Sequence, residues 1–247
     1  MSVAEFLAQG GRLTAPDNVP PRYRAELLRI MASFVDSELA GSAGFANAIN
    51  WAPGIKERIA ASRIVLEKAD HAERVLDLMG EFGTDKARYN QVHDWAARVE
   101  RDARLDPRRH GGDMRLSVFH YPFVDWIDAV VMNVLMGLAT VEQLNELGRC
   151  SYAPLAEVLR AVLPRERRHM ELGLEGLERI AADADGRSQA KTYIAYWQPR
   201  VAETFGAADS ERFQRQVSMG LRQARNEQLQ STWQATVDAQ LSRLQLA

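Results

Sequence analysis

One cysteine, Cys150, in 247 residues rules out an internal disulfide framework and fits a reducing compartment. Strand-like alternation of any length is missing, so a sheet-based fold is not expected. Walker and dinucleotide-binding glycine motifs are missing, as is a Gly-x-Ser-x-Gly elbow, which argues against phosphate-cradling and serine-hydrolase chemistry. No solenoid-length repeat or low-complexity run is visible. Net charge is only -2 at a pI near 6.2, so no global field draws the chain to nucleic acid or a membrane surface. The opening MSVAEFLAQGGRL lacks the basic-then-apolar order of a signal peptide, and a cytoplasmic protein is expected.

Long stretches of 3.6-residue periodicity, punctuated by Pro and Gly, fill the chain. They predict helices at about 21–43, 54–82, 123–147, 153–182, 188–205 and 210–244. FVDWIDAVVMNVLMGLATV, residues 123 to 141, is apolar enough to imitate a membrane span. It carries Asp125, Asp128 and Asn133, which suits a buried helix of a bundle better. The Pro/Gly-rich RLDPRRHGGDMRLSVFHYP, residues 104 to 122, reads as a long crossover between the second and third helices. A crossover there points to a single all-α domain, a ferritin-like four-helix bundle with extra C-terminal helices.

Charged residues interrupt the buried stripes. Leu27, Met31, Phe34, Gly41 and Phe45 share a stripe with Glu38 at its middle. Ala61, Ile64, Val65, Ala72, Val75, Met79 and Phe82 share one with Lys68 and His71. The fourth stripe, Leu155, Leu159, Val162, Gly173, Leu177 and Ile180, contains Glu166 and His169, a Glu-x-x-His pair. Residues three apart on a helix lie on one face, so that carboxylate and imidazole can converge on one metal ion. A di-iron bundle carries the motif twice and adds a carboxylate from each remaining helix. Here the second copy reads Lys68-x-x-His71, and the third stripe, which runs through Trp126, Val130, Asn133, Val141 and Leu144, has Gly137 at its centre.

Four carboxylates balance two divalent cations; Glu38 and Glu166 supply two negative charges against one positive Lys68. A vestigial site is therefore expected, with Lys68 and Gly137 a coupled replacement for metal and the lysine stem filling the room at Gly137. Glu38, Lys68 and Glu166 could equally form a buried ion network without chemistry. A single metal on Glu38, His71, Glu166 and His169 is a further alternative if Lys68 points away. Glu67, one turn before His71, reads mainly as a solvated residue near Arg63 and Arg74, with rotation into the site as the alternative. Arg108, Arg109 and His110, in the most basic stretch, read first as a solvated loop and second as contacts for the phosphates of a ligand. Cys150 reads as a packed thiol.

The chain resembles the catalytic subunit family of phenylacetyl-CoA 1,2-epoxidase, bacterial ring-oxygenating monooxygenases with a ferritin-like fold. The resemblance rests on YRAELL at 23–28, SELAG at 37–41, AP at 52–53, FHYPFVDWIDA at 119–129, RCSYAP at 149–154, the Glu166/His169 pair and YWQPRVAETFG at 196–206. It implies that Glu38, His71, Glu166 and His169 correspond to metal ligands, and that Lys68 and Gly137 stand where the family has carboxylates. Pro164, inside the fourth helix, is another departure and a place for a kink. Active members use di-iron, dioxygen and a reductase on an aromatic CoA thioester, beside a second, metal-poor ferritin-like subunit. The expectation for this chain is a metal-free structural, regulatory or acyl-CoA-binding relative, paired with a second ferritin-like subunit or with itself. The alternatives are an iron-dependent oxidoreductase on an aromatic acyl-CoA, with dioxygen at the space beside Gly137, and a helical interaction protein without CoA chemistry.

Overall fold

The computed structural model describes residues 3–105, 111–208 and 210–247, and among these the chain is all-helical apart from an isolated bridge between Leu13 and Tyr152. A short α1 (Val3–Ala8) precedes the first long helix, α2 (Pro21–Ala48). Then follow α3 (Ile55–Glu81), the single-turn α4 (Lys86–Tyr89), α5 (Trp126–Leu147) and α6 (Ala153–Ala181). The C-terminal part holds α7 (Ala184–Ala202), α8 (Glu211–Ser218) and α9 (Asn226–Arg243).

Local chemistry explains most boundaries. Pro21 opens α2 at the one position where a missing N–H costs nothing. The Asp125 carboxylate accepts from Asp128 N at 2.8 Å and starts α5; Asp183 accepts from Gly186 N at 2.9 Å and starts α7. Gly83, at φ 93°, follows the end of α3 in a conformation that favours glycine. Pro164 sits inside α6, which continues through it to Ala181. The continuous helix expected over 210–244 is two helices instead. Gly220 takes φ 67°, Ser151 N donates to its carbonyl at 2.9 Å, and the chain reverses before α9.

α2 packs along α3 and α5 along α6, and contact between α3 and α6 joins the two pairs into a four-helix bundle. α7 and α9 cover the outer side of α5, so that α5 is buried almost all round between Asp128 and Ala139. Its length and hydropathy would suit a membrane span, yet 72% of that window lies inside the bundle. Trp197 of α7 donates to Asp128 Oδ1 at 2.6 Å, and Trp233 of α9 donates to the Leu135 carbonyl at 3.0 Å. Each fully buried indole thereby keeps its N–H satisfied while adding a large apolar surface to the core.

The long connection from α3 to α5 is pinned by polar groups. Asp36 of α2 accepts from Tyr89 Oη and from Met114 N, both at 2.7 Å, and Ser37 Oγ accepts from Leu116 N at 3.0 Å. Arg101 donates to the buried Asp128 at 2.6 Å and stacks on Tyr196, 3.7 Å from the ring centre. Arg108, Arg109 and His110 lie outside the described residues.

Candidate metal centre

α2, α3 and α6 bring Glu38, Lys68, His71, Glu166 and His169 together at mid-bundle, each no more than 6% exposed. All five sit on the inward stripes of their helices, and burying them singly would be costly. Together they neutralise one another. Lys68 Nζ donates to Glu38 Oε1 at 2.9 Å and to Glu166 Oε1 and Oε2 at 3.1 and 3.2 Å. His71 Nδ1 lies 3.1 Å from Glu38 Oε2 and 3.0 Å from Glu166 Oε1. The ammonium and the imidazole nitrogen thus bridge the same two carboxylates.

His169 is turned differently. Its Nε2 pairs with Glu67 Oε2 at 2.7 Å, while Nδ1 is 3.3 Å from Glu166 Oε1, within ion-pair reach but without hydrogen-bond geometry. Its ring stacks on His71 with centroids 5.8 Å apart. Glu67 is therefore neither solvated beside Arg63 nor rotated into the centre; at 25% side-chain exposure it holds the outer nitrogen of His169. Asn133 of α5 donates to the His169 backbone carbonyl at 2.9 Å and fixes that turn of α6 from the other side.

The electrostatics follow from burial and contact. Burial alone pulls the Lys68 ammonium towards neutrality, but the Glu166 and Glu38 carboxylates outweigh it and hold its pKa above the ordinary value. Burial likewise opposes protonation of His71, and hydrogen bonds to Glu166 and Glu38 more than compensate, so its pKa is raised. For Glu166, burial pushes upward; the Lys68 charge and both histidines reverse this and hold it well below the usual carboxylate range. With His71 protonated, two positive charges face two negative ones.

Gly137 does not take part in the way its sequence position suggests. A Cβ built there would meet Met170 Cβ at 2.8 Å and Met170 Cα at 3.2 Å, so Gly137 serves the close approach of α5 to α6. The glycine that accommodates the lysine stem is Gly41 of α2, whose Cβ would stand 3.3 Å from Lys68 Cδ. The expected coupling of Lys68 with Gly137, and the space for dioxygen beside Gly137, are corrected accordingly. Spacing identifies which glycines lie on a stripe, whereas the rotation of each helix, α2 for Gly41 and α5 for Gly137, decides which neighbour each one meets.

These residues do not fit a di-iron centre. Glu38, His71 and Glu166 can each present a ligand atom within 4.8 Å of the others, as a metal needs. The space between the two carboxylates, however, is where the Lys68 ammonium donates its hydrogen bonds. α5 presents Asn133 and Gly137 towards α6 and adds no carboxylate there. One ion on the three-residue set would require Lys68 to leave.

A cavity of about 500 Å³ reaches Glu38 from the side of α2 and α5. Its walls include Ile30, Phe34, Phe119, Met136 and Phe213, and Arg29 and Arg212, both exposed, lie along it. The lining is mixed, since Ser33, Ser37, Gln143, Thr204, Gln216 and Asn226 also border it. Periodicity did not reveal this cavity, because α8 closes it from a segment distant in sequence. Cys150 lies elsewhere, 1% exposed, its thiol pushed up to about 11 by burial, as befits an inert packed group.

Comparison with known proteins bears on the same residues. Over 185 residues the chain is 24% identical to one of the subunits of 1,2-phenylacetyl-CoA epoxidase from Escherichia coli (strain K12). The match covers 74% of this chain but 54% of that relative, so the chain spans about half of the relative's length. The family model for the phenylacetic acid catabolic protein matches residues 2–247, and the chain belongs to that family.

Proposed function

We propose that this chain is a phenylacetic acid catabolic family protein in which an ion network centred on Lys68 stands in place of a di-iron centre. In this reading the chain works without metal, in a structural or regulatory role, and retains a site for an acyl-CoA. The observation that carries it is the Lys68 ammonium within 3.2 Å of three carboxylate oxygens on two helices, the carboxylates being ones that could each offer a metal a ligand atom. The cavity beside Glu38 supports retention of an acyl group. The relative is named as one subunit of an epoxidase, which supports a place in an assembly with another subunit; this reading takes that partner to be a second ferritin-like chain.

Calorimetric titration with phenylacetyl-CoA before and after chelator treatment tests this function. The expected result is binding of unchanged affinity after chelation. No binding at all would remove the acyl-CoA role and leave the structural one.

A second reading has one observation in its favour, the convergence of Glu38, His71 and Glu166 next to a ligand-sized cavity. It makes the chain an oxidoreductase with one metal on those residues and Lys68 displaced. Affinity that collapses on chelation and returns with ferrous iron would favour this reading.

A further inference from the structure

α8 is held to the bundle by few groups, although it walls the cavity that reaches Glu38. Of its 8 residues only Phe213 and Gln216 are buried, and both line that cavity. Gln216 donates to one oxygen of the Glu26 carboxylate of α2 at 3.2 Å, and Arg215 donates to the other at 3.4 Å. Two glycines in the left-handed region bound the segment, Gly206 at φ 84° and Gly220 at φ 67°. Beside these joints the backbone is pinned. Asn226 donates to the Ala207 carbonyl at 3.0 Å, and Ser151 donates to the Met219 and Gly220 carbonyls at 2.6 and 2.9 Å. A helix of this length is marginal by itself in water, so α8 stays formed through one carboxylate and one aromatic ring. Segments with so few buried groups open locally far more easily than the whole chain unfolds.

Charge shows what draws the segment shut. Arg29 of α2 and Arg212 of α8 both border the cavity and both are exposed. Among the described residues neither forms an ion pair. Two guanidinium groups on one empty cavity repel each other, and an anionic group between them turns that repulsion into attraction. Their paired N–H donors suit carboxylate and phosphate oxygens. One arginine stands on the anchored helix and the other on the weakly held one, so a bound anion ties the two together.

We propose that α8 is a lid on this cavity, latched to α2 by Glu26 when the cavity is empty and drawn shut by a ligand whose anionic group bridges Arg29 and Arg212. Such a ligand has an apolar acyl group for the walls at Ile30, Phe34, Met136 and Phe213, and a phosphate or carboxylate for the arginines. A ligand that touches both arginines binds the closed state better than the open one, which is what a population shift requires. Closure by ligand rests on the acyl-CoA reading; the Glu26 latch does not.

Hydrogen exchange of the full chain, read by mass spectrometry with and without phenylacetyl-CoA, tests both parts. Wild type is compared with two latch variants, Glu26→Ala and Gln216→Ala, and with Arg212→Gln. Arg22→Gln, at an exposed position of α2 outside the cavity lining, is the control. In ligand-free wild type the α8 amides are expected to exchange faster than those of α2 and α6. Each latch variant is expected to speed α8 about tenfold or more, the scale of a lost hydrogen bond to a charged group, and to leave α6 unchanged. Phenylacetyl-CoA is expected to slow α8 exchange in wild type and Arg22→Gln but not in Arg212→Gln at full occupancy, with occupancy set by calorimetry. α8 amides as protected as those of α2, and indifferent to both latch variants, overturn the lid. Slowing that survives in fully occupied Arg212→Gln overturns the anion bridge. Binding without any slowing overturns closure by ligand while leaving the acyl-CoA reading intact. Absence of binding overturns that reading and closure by this ligand together, and the latch variants, which need no ligand, still decide whether α8 opens.

Discussion

Replacing Lys68 with methionine keeps a long flexible stem against Gly41 and removes only the ammonium. Glu38 and Glu166 then remain at 4% and 2% exposure with His71 as their one shared cation. Breaking a buried pair by deleting one partner costs about 3–5 kcal/mol, because the surviving charge stays desolvated. The stem should still pack, so the cavity contribution is small and the lower half of that range, about 3 kcal/mol, is expected at neutral pH. For a chain of this size each kcal/mol moves Tm by roughly 2–4 °C, giving a drop of about 6–12 °C. Urea denaturation of metal-free protein, with circular dichroism as the probe, measures the difference. The triple variant Lys68→Met/Glu38→Gln/Glu166→Gln removes the stranded charges as well and should recover most of the loss. A single-variant loss below about 1 kcal/mol, the scale of an exposed pair, would refute the assignment of Lys68 to the centre of the network.

Further outcomes follow from the same geometry. The raised pKa of His71 contributes stability below its unfolded value, and this is lost as pH rises through the folded value; the lowered pKa of Glu166 contributes above the ordinary carboxylate value and is lost as pH falls through the folded one. Metal-free protein should thus be most stable between those limits, and His71→Asn should flatten the alkaline limb in a urea series over pH; an unchanged limb would assign it to another group. Gly137→Asp must displace Met170, and destabilisation of about 1–3 kcal/mol is expected, with partial recovery in Gly137→Asp/Met170→Ala. Full stability of the single variant would show that α5 and α6 separate freely. Arg101→Ala leaves Asp128, fully buried, with the Trp197 indole and the Val124 N–H alone, and should cost about 3 kcal/mol; a loss within about 0.5 kcal/mol by thermal unfolding, the scale of an ordinary surface substitution, would count against that anchor.

The long helices were legible because their 3.6-residue periodicity persists through the charges set in their stripes, and α3, α5 and α6 begin or end within a few residues of proline or glycine signals. The convergence of Glu38, Lys68, His71 and Glu166 could be read for the same reason, since a charge at the middle of an apolar stripe must meet its complement on a facing stripe. Three features were not legible. Glu67 shares a helix face with positions on both sides, and only the placement of α6 shows that it meets His169. Gly41 and Gly137 look equivalent in sequence, and the rotations of α2 and α5 about their own axes decide that the first borders Lys68 and the second Met170. The break between α8 and α9 falls at Gly220, whose left-handed backbone lies against Ser151, a contact from a segment distant in sequence.

Whether Lys68 occupies the place of a metal is tested most directly by elemental analysis of wild type and Lys68→Glu after reconstitution with ferrous iron and desalting. No retained iron is expected in wild type, and uptake is expected in Lys68→Glu, where the ammonium is gone and a third carboxylate joins Glu38 and Glu166. About one tightly held iron per wild-type chain would contradict the assignment of that place to the lysine.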